Sequence, residues 1–252
     1  MFRGFNLDLT ENFFSESDFI TGNNIHKENR RYIRRTLDGF ISPSGTLDGS
    51  KLQAYWFPSL EADVFISHSH ADIKLAVALS GWLSGMGVSS FIDSIVWGYA
   101  ADILKLIDNA YCLNEDKRSY DYDLRNLSTA HVHMMLSTGL AQMIDRTECI
   151  FFLNTPNSIS SEAVISKTAS PWLYHELAMT KLVEKRSPQQ HRARLEKAFS
   201  SIKEEWAIEY AVDLDHFMKI NEIDLLRWQI EYDADESNAL DLLYAMLATK
   251  RR

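Results

Sequence analysis

Three short apolar runs constrain the fold of this 252-residue chain more than any other feature: Ala62–Ser67, Val88–Ile92 and Glu148–Leu153. Runs of this length without polar alternation suit strands buried on both faces, as in a parallel sheet. After the first run, Ile73, Ala76, Val77, Leu79, Ser80 and Leu83 recur at helical spacing, and Gly85-Met86-Gly87 supplies a stop. After the second, Ser94–Tyr99 reads as a short loop and Ala100–Ala110 as a helix turning Ile103, Leu106 and Ile107 inward. Strand, helix, strand, helix in this rhythm predicts a parallel sheet with right-handed crossovers. The third run is the most apolar and belongs mid-sheet.

The flanks are less regular. Residues 1–60 read as an N-terminal extension, with a helix near 24–39 carrying Ile25, Tyr32, Ile33 and Leu37 and a Gly-Ser-Pro-rich break over Ile41–Ser50. Lys51–Phe57 can add a helical turn before Pro58 ends it. Residues 111–146 read as an insertion, polar from Asp116 to Asp123 and helical from Ser128 to Asp145. Ser170 as N-cap and Pro171 at the first helical position open a helix that runs to about Glu184. A charged helix at 188–204, an alternating strand at 206–213 and amphipathic helices at 221–230 and 236–248 complete the chain. The expected division is an extension (1–60), an α/β domain (61–215) and a C-terminal helical extension (216–252).

Composition excludes several classes of partner. With 26 basic and 35 acidic residues the formal charge is −9, which gives no general attraction to nucleic acid or anionic lipid. The local basic stretch Lys27–Arg35 reads as a solvated helix face. Cys112 and Cys149 are too few and too far apart for a disulfide framework or a Cys-x-x-Cys site. Asp8, Glu11, Glu16 and Asp18 interrupt the first twenty residues, so no secretory signal is expected, and no apolar stretch reaches the length of a membrane helix. The expectation is a soluble, cytoplasmic protein without nucleic-acid or membrane partners.

In a parallel sheet, ligands bind beyond the carboxyl ends of the strands, which here carry Ser67-His68, Asp93 and the chain leading to the helix of Trp172 and Glu176. Trp172 and Glu176 are four residues apart and share a helix face. An aromatic ring beside a carboxylate suits cleavage of an N-glycosidic bond, the ring stacking a heterocycle and the carboxylate stabilising a cationic sugar. The same spacing also fits a packed tryptophan beside a surface glutamate. The pairs His68/His70 and His131/His133 lack a carboxylate or cysteine to complete a metal site, so no metal is expected. Gly-x-Ser-x-Gly, the Walker loop and Gly-x-Gly-x-x-Gly are all absent.

Asp63–Asp72 (Asp-Val-Phe-Ile-Ser-His-Ser-His-Ala-Asp), Phe91-Ile92-Asp93 and Ser170–Glu176 (Ser-Pro-Trp-Leu-Tyr-His-Glu) resemble, in order, three motifs of the TIR (Toll/interleukin-1 receptor) domain family. The resemblance covers about 62–110 and 147–185, and 206–213 more loosely. It implies a flavodoxin-like α/β fold and, for many members, consumption of NAD as substrate with no further cofactor; other members only bind TIR partners. By position Glu176 would be the catalytic glutamate, and Ser67, His68, Asp93, Trp97 and Trp172 would line the NAD pocket, Trp97 from a gating loop. The layout is similar to signal-producing subunits of Thoeris-type antiphage systems, which implies a homo-oligomer, a phage-derived trigger and a downstream effector that reads an ADP-ribose product. The 94–99 loop lacks the family's Pro-Gly and the 111–146 insertion is long, which leaves the product open. A nucleoside 2-deoxyribosyltransferase-like enzyme, with related fold and glutamate chemistry, is a further alternative.

Overall fold

The structure, a computed structural model, describes residues 1–30, 37, 40–41, 47–57, 61–159, 167–168, 171–183, 185–188, 210–211, 214–233 and 238–248. Its centre is a five-stranded sheet of β1 (Arg3–Asp8), β2 (Val64–Ser67), β3 (Ser90–Ile92), β4 (Cys149–Leu153) and β7 (Met218–Asn221), in the order β3-β2-β4-β1-β7. Every neighbouring pair in it is parallel. The three apolar runs are adjacent strands, and β4 is the central one. Its alternation serves both faces: Phe151 meets Phe5 and Trp228, whereas Phe152 meets Phe217.

Among the described residues eight α-helices flank this sheet: α1 (Glu16–Arg30), α2 (Gly49–Trp56), α3 (Ile73–Gly85), α4 (Ser94–Tyr111), α5 (Tyr122–Arg146), α6 (Pro171–Leu182), α7 (Glu222–Glu231) and α8 (Ala239–Ala248). The molecule is therefore an α/β protein with a parallel sheet flanked by helices. The start of α2 is set by Asp48, whose side chain accepts from Lys51 N, and that of α7 by a capping box between Asn221 and Asp224. Gly87, at φ +69°, turns the chain from α3 towards β3.

Five expectations change. Residues 3–8 are not outside the α/β unit: β1 lies between β4 and β7, so the first strand of the sheet comes from the segment read as an extension. β7 likewise joins the sheet from the segment assigned to the C-terminal extension. Polar Asn6 and Asp8 break up the β1 signal, and β7, on the sheet edge, buries only Ile220. The loop expected at 94–99 is helix, because α4 starts directly after Asp93. Of the strand expected at 206–213, the described part is β6 (Tyr210–Ala211), antiparallel to β5 (Lys167–Thr168) in a separate two-stranded sheet; 206–209 and 212–213 lie outside the described residues. The N-terminal helix begins at Glu16, eight residues earlier than its pattern suggested; 31–36, 38–39 and the charged helix at 188–204 lie outside the described residues, apart from residue 188.

α5, within the stretch read as an insertion, buries Val132, Leu136, Leu140, Met143 and Ile144 and is part of the helical layer. α1 and α3 cross at backbone contact. A Cβ on Gly22 would enter the space of Val77 O, and one on Gly81 that of Asp18 O. Gly81→Ala must push the helices apart, and a loss of about 1–3 kcal/mol is expected in urea denaturation. An unchanged midpoint would show that the crossing yields at no cost.

Candidate functional site

Ser67, the last residue of β2, donates its hydroxyl to Glu176 Oε2 at 2.6 Å. His68 follows, and its Nδ1 lies 2.6 Å from Oδ1 of Asp93, the residue between β3 and α4. Glu176 comes from α6, which buries Leu173, Glu176, Leu177 and Thr180. These positions are one stripe at helical spacing, so the carboxyl occupies a place on the core-facing side where an apolar residue is the usual choice. Ser67, His68, Asp93 and Glu176 thus meet at the carboxyl edge of the sheet, and none is more than 1% exposed.

Burial decides the protonation of this cluster. Desolvation, and next the negative charge of Asp93, push the Glu176 carboxyl well above its ordinary range, against the Ser67 hydrogen bond that favours the ionised form. Asp93 is also raised well above its usual value by desolvation, with its contact to Glu176 and backbone N–H groups working in the opposite direction. Burial lowers His68 to about 4, against the attraction of Glu176 and Asp72. At neutral pH the imidazole is uncharged, so the close His68–Asp93 contact is not an ion pair. Both carboxyls are raised because burial withdraws the bulk water that would stabilise their ionised forms.

Of the two tryptophans expected at the site, only Trp172 has a described side chain. Trp172 is half-buried, one turn before Glu176, and its ring meets that of His133 on α5 edge-on at 5.8 Å and 78°. The indole is thus engaged in helix packing on at least one edge, while its Nε1 is buried without a hydrogen-bond partner among the described residues. Trp97 lies in the first turn of α4 rather than in a loop, and its side chain is outside the described residues. His133, lowered to about 4 by burial, packs as a neutral ring, and His131 is exposed. Among the described residues no group of three or more His, Cys, Asp or Glu side chains is placed to hold a metal ion.

A second polar cluster was not foreseen. Asp72 accepts from Thr155 Oγ1 at 2.6 Å and from Asn157 Nδ2 at 2.7 Å, joining the turn after β4 to the loop after β2. Ser158 Oγ reinforces that turn by donating to Leu153 O and accepting from Thr155 N. An acid five residues beyond Ser67 and a Thr-Pro-Asn-Ser turn were its signals, but their pairing is across 83 and 85 positions in sequence. The buried Asn6 amide of β1 was also missed; its Oδ1 has no hydrogen-bond partner among the described residues.

Neither the protein-family models, nor the curated proteins, nor the solved structures give a match to this chain.

Proposed function

We propose that this protein is a TIR-type enzyme that cleaves the nicotinamide–ribose bond of NAD and produces an ADP-ribose-derived signal, whether linear, cyclic or conjugated, in antiphage immunity. The observation that supports this reading best is the buried Glu176 carboxyl, bonded to Ser67 and set beside Asp93 and His68 at the carboxyl edge of a parallel sheet. In this scheme NAD brings its own cation, since the nicotinamide ring is a pyridinium. Its positive charge beside Glu176 would favour loss of the carboxyl proton, reversing the effect of burial. The bond from ribose C1′ to the ring nitrogen then breaks, its electron pair neutralises the pyridinium, and the carboxylate stabilises the oxocarbenium-like sugar. Water, or a hydroxyl of the substrate or of another small acceptor, attacks C1′ and passes its proton to the Glu176 carboxylate; an adenine nitrogen attacks with its lone pair, and the adenine amino group then releases a proton to water. Ser67 would orient the carboxylate, His68 and Asp93 would line the site, Trp172 would wall it, and the segment of Trp97 would gate it. Because the four polar side chains are closed to solvent, substrate entry needs an opening, the role proposed for self-assembly or a phage-derived trigger; a downstream effector would read the product in the cytoplasm.

The same closure favours a second reading, a TIR interaction module in which the carboxyl is a sealed structural feature and no bond is broken. Nicotinamide release from NAD by the wild-type chain and by Glu176→Gln, with and without a phage-infected lysate as trigger, separates the two. Release by wild type only is expected. Equal release, or constant NAD under every activating condition, would favour the module.

A further inference from the structure

At the opposite, amino edge of the sheet is a cavity of about 360 Å³ lined by Met1, Phe2, Arg3, Gly4, Lys185, Arg186, Ser187, His216 and Met218. It is formed where β1 and β7 begin and where the chain leaves α6. Arg3, Lys185, Arg186 and His216 all line it, and although Arg186 pairs with Asp145, no carboxylate is among its described lining residues. In a chain of formal charge −9 this is a local concentration of cationic side chains.

The cationic groups are held in place. Arg3 stacks its guanidinium on the Phe2 and Tyr244 rings at 5.1 and 5.5 Å and directs Nη1 to Met218 Sδ at 3.2 Å. Arg186 is braced by Asp145 Oδ1 at 2.8 Å, and its backbone N–H donates to Met1 O. His216 is fixed by Thr180 Oγ1 at 2.7 Å, and Lys185 is exposed at the rim. Arg and Lys side chains positioned around one concavity are the usual means of gripping phosphate oxygens. The volume falls in the range of small-molecule sites, roughly 300–1,000 Å³, which leaves room beyond a phosphate, and Phe2 and Met218 offer an apolar wall for that remainder.

We propose that this cavity is a second ligand site, separate from the Glu176 cluster, for a small organic molecule bearing a phosphate or diphosphate group. Calorimetric titration of the full chain with ADP, and separately with inorganic pyrophosphate, tests it at two salt concentrations. Saturable binding of ADP that weakens with salt is expected. In Lys185→Glu, on an exposed side chain, affinity should fall about tenfold, the size of one lost charge-assisted contact. Lys185→Gln should lie between, with unchanged circular dichroism in both variants. Glu176→Gln should bind ADP as wild type does, so failure of the NAD-cleavage proposal leaves this one standing. Absence of saturable ADP binding, equal ADP affinity in Lys185→Glu, or binding of pyrophosphate alone would overturn it.

Discussion

Glu176→Gln is expected to remove NAD cleavage and, at pH 8, to make the fold more stable. Glutamine reproduces the protonated carboxyl in shape: its oxygen can accept from Ser67, and its amide can donate towards Asp93. What it lacks is the negative charge. Loss of one such stabilising charge costs on the order of 10²–10³ in rate. The stability gain follows from linkage. Burial raises the Glu176 carboxyl in the folded state, so at intermediate pH the folded protein keeps a proton that the unfolded chain has released. Stability therefore falls as pH rises from the ordinary carboxyl range towards the folded-state value, and Asp93 acts with the same sign. His68 acts oppositely: its folded value of about 4 lies below 6.5, so its contribution is lost as pH falls through that interval and is constant above it. Above pH 6.5, where His68 contributes no further change, the raised carboxyls alone among these groups set the sign of the slope. Urea denaturation in that window should show a gain on the order of 1–2 kcal/mol for Glu176→Gln and a flatter pH dependence. A variant less stable than wild type at pH 8 would mean that the ionised carboxyl is accommodated, contrary to its burial.

The largest loss of stability is expected at β1. Phe5 and Leu7 are fully buried, and Phe5 packs on the Phe151 ring at 5.4 Å and lies parallel to Tyr244 at 6.3 Å. Phe5→Ala should cost about 3–5 kcal/mol, a large part of the 5–15 kcal/mol that usually separates a domain from its unfolded state. Removing residues 1–8 goes further, because β1 pairs at five positions with β4 and at four with β7. The truncated chain is expected to lose its cooperative melt and to become susceptible to proteolysis. If it kept the far-ultraviolet spectrum and melting transition of the whole chain, the sheet would not depend on β1 and the segment would be an appendage.

The sequence by itself was sufficient for β2, α3, β3 and β4, and for the polar residues that follow those strands. Their signals are local: a continuous apolar run, a helical period, a glycine at the stop, and a parallel sheet that follows from their alternation. Ser67, His68, Asp93 and Glu176 were legible as separate points on strand ends and one helix. Only the tertiary structure decided that they touch, that Glu176 lies on the buried stripe of α6, and that its carboxyl is pushed above its ordinary range, because desolvation depends on what packs around a group rather than on its neighbours in sequence. The engagement of Trp172 by His133 and the tie from Asp72 to Thr155 and Asn157 are likewise contacts between distant segments. So is the place of β1: a six-residue segment with polar Asn6 and Asp8 has a weak pattern of its own, and its position between β4 and β7 is set by pairing with strands about 145 and 213 residues away.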